Sequence, residues 1–333
     1  MREYVMASKF SLQFSLIILV ILLIAAQCQA DEQSATPTAE PITPTIALIP
    51  PIQPGDGSDL MDRLLEEGVI RVGIRVWPGA DFSPPAFRGF SNAKTGGALN
   101  GFEVDIAHQI ANGLRLELEL VEAYPPVLAT GQWQGEWDIA IASLVPFDQS
   151  PETMAYSQAY GYIPTAVLVS ATSRIQGPDD LAGKRIGVLE YSATQRLLSA
   201  QKAALTIDEQ PTLIQLPNTI EPVPVSNLIN TIKQLGNSNS AEETVDAVIG
   251  PAPILQEAVK SDLPVKIVAQ NIGVSPLAIA VVPQDNLKID RLVTEINRAL
   301  TRLQHDGTLA EIYLRWYGQD FSQASDHGSP QTE

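Results

Sequence analysis

Residues 69–76 read VIRVGIRV and residues 116–122 read LELELVE, and what lies between them decides the fold. Ile70, Val72, Ile74 and Val76 alternate along the first stretch as on a strand with one buried face, and the second stretch alternates in the same way. Between them Phe102, Ile106, Ile110 and Leu114 recur at a helical spacing. Strand, helix and strand form a βαβ unit, and such units imply a parallel sheet flanked by helices.

The pattern continues outward from there. A short helix over Leu60 to Glu67, stopped by Gly68, precedes the first strand. Asp138 to Ala142, Ile163 to Ser170, Arg185 to Val188, Ala247 to Gly250, Val265 to Ala269 and Leu277 to Val282 read as further short strands between helical stretches. The fold class is therefore α/β. Ser192-Ala193-Thr194-Gln195 and Thr308-Leu309-Ala310-Glu311 fit the capping box, in which the hydroxyl accepts the third helical amide and the Gln or Glu returns to the cap residue. A last long helix has apolar positions at Ile289, Leu292, Val293, Ile296, Ala299, Leu300 and Leu303, and Gly307 is placed to end it.

The chain has 333 residues, 21 Lys plus Arg against 38 Asp plus Glu, and a formal charge of −17. That excludes a sequence-independent nucleic-acid binder, which needs a basic face. The length suggests about two domains. The single cysteine, Cys28, excludes an intramolecular disulfide framework and a cysteine-based metal cluster.

At the N-terminus Arg2 and Lys9 precede an unbroken apolar run, LIILVILLIAA (Leu16 to Ala26), and then Gln27-Cys28-Gln29-Ala30. The run is too short to span a bilayer, and the pattern is that of a secretory signal peptide over residues 1–30. Cleavage after Ala30 and lipidation at Cys28 are both compatible with it, and an uncleaved anchor is a third outcome; all place the remainder outside the cytoplasm, periplasmic or extracellular. Residues 31–58, rich in Pro and Thr, read as an extended linker, and residues 320–333 as a polar tail.

Four segments in order resemble the bacterial extracellular solute-binding proteins of family 3, the receptors of polar amino-acid ABC importers. They are LLEEGVIRVGIRV (Leu64 to Val76), GFEVDIAHQIA (Gly101 to Ala111), DDLAGKRIGVLEYSA (Asp179 to Ala193) and LTRLQHDGTLAEIYLRWYG (Leu300 to Gly318). The resemblance implies a type II periplasmic-binding-protein fold: two α/β domains joined by two hinge strands, with the ligand in the cleft between them. Domain 1 would comprise 59–160 plus 275–319 and domain 2 would comprise 163–272. It further implies a small polar solute as ligand, ABC permease subunits as partners, a monomer, and neither cofactor nor metal.

In that family an Arg grips the ligand carboxylate, an Asp pairs with the ammonium group and aromatic rings sandwich the side chain. Alignment on Tyr156-Ser157 puts Ser150 at the Arg position, and alignment on Val245 to Val248 puts Pro251 at the Asp position. Loss of both grips points to a ligand other than a plain α-amino acid. Phe87, with Phe90 second, falls at a stacking position, Tyr124 near another, and Ser192 at the family's hydroxyl position on a domain 2 helix start. Arg75, at a strand end facing the cleft, is the better replacement cation and Arg88 the second. Glu190 could pair with a cation, and Ser143, directly after the Asp138 strand, completes the ligand-binding candidates. Gln132 to Trp137 (QWQGEW) resembles an insertion, for which a rim contact is the expectation.

His108, His305 and His327 are dispersed, and HExxH, GxSxG, P-loop and paired cysteines are absent, so most enzyme classes lack their parts. A prephenate-type dehydratase on the same scaffold is the remaining enzymatic alternative, with Glu190 or Asp148 as its acid. A ligand-binding sensory subunit is the other alternative.

Overall fold

Asp59 and Gly68 set the ends of the first helix. The Asp59 carboxylate accepts from the Met61 amide at 2.9 Å, and Gly68, at φ +72°, closes α1 (Leu60–Glu67) by returning its amide to Leu64 O. The computed structural model describes residues 51–88, 98–133, 135–146, 154–199, 206–207, 210–211, 216–217, 219–237 and 245–324, all within one unit that begins at Leu48. Cys28, Ala30, Phe90, Asp148 and Ser150 lie outside the described residues.

The βαβ unit forms as expected. β1 (Val69–Ile74) runs parallel to β4 (Glu117–Glu122), in register from Val69 opposite Glu117 to Ile74 opposite Glu122, and α2 (Phe102–Leu114) makes the crossover. Two-residue strands β2 (Phe87–Arg88) and β3 (Leu99–Asn100) pair between β1 and α2. β1 stops at Ile74 rather than Val76, and Trp77 bridges to Phe87 instead. With β5 (Ile139–Ala140), β6 (Ala155–Tyr156) and β14 (Ala280–Val281) the first sheet has the order β4-β1-β5-β14-β6.

The second sheet is assembled from β7 (Gly161–Ser170), β8 (Arg185–Leu189), β11 (Glu221–Val225), β12 (Ala247–Pro251) and β13 (Val265–Leu277), in the order β11-β8-β12-β7-β13. A separate pair, β9 (Thr206–Ile207) and β10 (Gln210–Pro211), lies outside it. β13 is one strand where the sequence suggests a break after Ala269. Its pairing with β7 shifts register between Ala269 and Gly273, and Asn271 sits at φ +54°; this irregularity interrupts the apolar alternation without interrupting the strand. The Tyr160 amide donates to Leu277 O and the Ala278 amide to Leu144 O, so the starts of β7 and of the segment after β13 are tied to the first lobe.

Helices α3 (Pro125–Thr130), α4 (Ala193–Ser199), α5 (Leu228–Gly236), α6 (Ala252–Lys260), α7 (Asp290–His305) and α8 (Thr308–Tyr317) complete the described helices. α7 buries Leu292, Ile296, Ala299, Leu300 and Leu303, close to the expected stripe. Neither capping box closes as expected. Ser192 Oγ does accept the Gln195 amide, but Gln195 Oε1 accepts from Tyr191, one residue before the cap. Thr308 is already helical, Gly307 is the cap at φ +82°, and Asp306 accepts the Thr308 amide.

The two tryptophans of QWQGEW are core rather than rim, whereas Gln132 and Glu136 are exposed. Trp133 and Trp137 are each 1% exposed, with ring centroids 5.7 Å apart, in a cluster with Leu128, Ala140 and Val282. Trp137 lies so close to β1 that a Cβ on Gly73 would come within 2.7 Å of the indole. Part of the expected linker is also held: Gly55 and Gly57 donate their amides to Asp62, which is paired with Arg291, and Arg291 donates to Gln53 O as well.

Candidate functional site: a cleft between two sheets

The parallel strands of both sheets deliver their C-terminal ends to one cavity, the usual position for a ligand in α/β sheets. It encloses about 870 Å³ of atom-free space including its mouth, within the range of small-molecule sites. Arg75 and Trp77 enter it after β1, Ser143 after β5, Tyr191 and Ser192 after β8, and Pro251 at the end of β12.

Arg75 is the cation of the cleft. It comes from the first lobe, and its Nη1 donates across to Glu190 O of the second lobe at 3.0 Å. Its guanidinium carbon stands 5.8 Å from the centroid of the Trp77 ring. Burial lowers its pKa, opposed by the charges of Glu190 and Glu103. Among the described residues it makes no ion pair within contact distance of a carboxylate.

Behind the wall of the cleft sits Glu103, in the first turn of α2 and 1% exposed. Its Oε1 accepts from the Ser143 amide, from Ser143 Oγ at 2.7 Å and from Tyr160 Oη at 3.5 Å. Its Oε2 is buried with no hydrogen-bond partner. Burial pushes the carboxyl up to about 7, against the pull of Ser143 and the Arg75 charge. Tyr160, buried, and Tyr317, half-buried, are raised well above the ordinary phenol value, mainly by desolvation. Ser143 thus joins two layers: its main chain, at φ +49°, and its hydroxyl hold Glu103 while the residue lines the cavity.

The candidates from sequence divide accordingly. Arg75, Ser143 and Ser192 come together on the cavity wall, and Glu190 contributes its backbone oxygen to Arg75. Phe87 is edge-on to Trp316, with centroids 6.1 Å apart, and does not line the cavity. Tyr124 is 68% exposed, at the start of α3, and is also off the wall. Arg88 falls in β2. The aromatic rings on the wall are Trp77, Phe102, Tyr191 and Tyr317. Glu103 went unnoticed in the sequence although a signal exists: it shares a helical face with Ile106 and Ile110, where a carboxylate is out of place.

Two sheets joined through β7 and β13, with a cavity at the facing strand ends and donors from both, define a cleft-type binding protein. The chain belongs to the bacterial extracellular solute-binding proteins, family 3, whose family model it matches over residues 80–319. It is 25% identical over 268 residues to the L-cystine-binding protein TcyJ of Escherichia coli (strain K12), covering 78% of this chain and 87% of the relative. It is also 25% identical over 232 residues to a Haemophilus influenzae protein named "Probable amino-acid ABC transporter-binding protein", covering 68% and 79%. Among solved structures, an ancestral arginine-binding protein bound to arginine superposes with a TM-score of 0.58 at 25% identity, over 75% of this chain and 99% of that one.

Proposed function

We propose that this protein is the extracytoplasmic solute-binding receptor of an ABC importer, for a small solute that is not a plain α-amino acid. The relatives named for amino-acid and L-cystine binding support the transport class. The observation that carries the reading is Arg75 reaching from one lobe to Glu190 O of the other across the cavity, a contact that a closing cleft would make around its ligand. The departure from α-amino acids rests on Pro251, which lines the cavity where the family resemblance calls for an acid. Processing of the signal peptide at Ala30, or lipidation at Cys28, would deliver the receptor to the permease side of the membrane. Thermal shifts across a panel of small metabolites test this: a selective rise in Tm is expected, and stabilisation by ordinary L-amino acids at micromolar concentration would overturn the altered-ligand part.

One observation favours a second reading, a dehydratase acting on prephenate-like acids: Glu103 is an acid of near-neutral pKa adjoining the cleft. Ser143 stands between that carboxyl and the cavity, and among the described residues no carboxylic acid lines the wall. Incubation with prephenate or arogenate decides this reading, and absence of an aromatic product removes it.

A further inference from the structure

Resting on the receptor reading above, we infer that the ligand is a monoanion with an apolar body: a carboxylate on an aliphatic or aromatic frame, without an ammonium group. The cavity wall is mostly hydrocarbon, with Trp77, Phe102, Val145, Leu189, Ile249 and Ile254 among its apolar residues. Among the described residues its polar side chains are hydroxyls, from Ser143, Thr165, Ser192, Thr194 and Ser275 and from Tyr191 and Tyr317, the Trp77 indole and one cation, Arg75.

Arg75 has an incomplete set of partners. A guanidinium carries five donors; here Nη1 donates to Glu190 O, while Nε and Nη2 have no acceptor among the described residues. The two described acids whose charges act on it do not neutralise it by contact. Glu103 is held by Ser143 and Tyr160 away from Arg75, and Glu190 reaches Arg75 by a main-chain oxygen. A cation turned into an apolar cavity with donors that the described residues leave unfilled is stabilised by an anion that presents two oxygens to its fork. An α-ammonium, by contrast, would face the Arg75 charge with hydroxyl oxygens but no carboxylate on the described wall to receive it.

The test uses matched probes against the full-length protein, read by Tm shift and calorimetry. 3-Phenylpropanoate and 4-methylpentanoate carry the carboxylate and the apolar body. L-Phenylalanine and L-leucine add the ammonium, and 3-phenylpropanol and 3-phenylpropylamine replace the carboxylate. Binding of the two carboxylates at least tenfold tighter than their amino-acid counterparts, with no shift from the alcohol or amine, is the expected result. Arg75→Met is expected to weaken carboxylate binding about a hundredfold and Arg75→Lys about tenfold, the latter guarding against a variant that fails to fold. Equal binding of the alcohol or amine, carboxylate binding indifferent to both substitutions, or no shift from any probe would overturn the assignment of an apolar monoanion and leave the receptor reading standing. Tighter binding of the amino acids would overturn the altered-ligand reading itself.

Discussion

The two lobes share one plan and use opposite materials. In the first sheet β4, β1 and β5 run parallel and β14 turns antiparallel; in the second β11, β8 and β12 run parallel and β7 turns antiparallel. Yet the buried carboxylates among the described residues, Asp59, Asp62, Glu103 and Asp138, all lie in the first lobe, whereas the second buries only hydroxyls such as Thr165, Ser170, Thr194 and Thr231. Three of the four acids are neutralised or capped where they stand. Asp138 accepts from Arg63 and Arg71, Asp62 from Arg291 and two amides, and Asp59 from the Met61 and Arg291 amides. Glu103 has hydroxyls and one amide instead, and it is the acid beside the cleft. The shared strand order therefore leaves open which lobe carries the charge; the side chains at the strand ends decide it, and here the first lobe supplies the cation while both lobes contribute to the apolar wall.

The comparison can be broken at several points. Trp137→Ala would remove the largest packing element peculiar to the first lobe, and a loss of about 4 kcal/mol in urea unfolding is expected for a buried Trp of this kind. A loss under about 1 kcal/mol would mean that the QWQGEW segment is dispensable to the core.

Glu103→Gln tests the unneutralised acid. A carboxyl raised from 4.5 to about 7 favours the folded state fully below about pH 4.5 and loses that contribution as pH rises through 7. Relative to wild type, the variant is therefore expected to match at pH 4 to 4.5 and to gain on the order of 3 kcal/mol by pH 8. A difference profile that stays flat over this window would place Glu103 with the three compensated acids.

Effects in the second lobe are expected to be smaller. Ser192→Ala removes the hydroxyl that accepts the Gln195 amide and should cost about 1 kcal/mol by the same assay, because the α4 terminus faces the cavity with little else to cap it. The smallest effect belongs to the contact between lobes, Lys233 Nζ to Asp81 Oδ2 at 2.9 Å, both partly exposed. A double-mutant cycle with Asp81→Asn and Lys233→Met should give about 0.5 kcal/mol or less, vanishing in 1 M salt.

How much was legible from the chain follows the range of the interactions. α1, α2, β1 and β4 could be read to within two residues because apolar periodicity and Gly68 act over a few positions. The break expected after Ala269 failed because pairing with β7 carries β13 through an irregularity that local alternation cannot bridge. The second capping box failed because Gly307 and Asp306 outcompete Thr308 for the helix start. In the cleft, Arg75 and Ser143 were accessible from their places at strand ends and Ser192 from the family resemblance at a helix start, while Phe87 lies off the wall because its ring meets Trp316, a partner 229 positions away in a helix of the C-terminal pair.

Spacing and residue identity alone set the alternation of strands and helices, the α/β class, the family and the absence of paired cysteines. Only the tertiary structure decided that Trp133 and Trp137 are core, that Glu103 stands buried behind Ser143 with one oxygen unpartnered, and that Arg75 reaches Glu190 O across the cavity. Burial and the pairing of charges depend on segments brought together from far apart in the chain, so no window of sequence contains them.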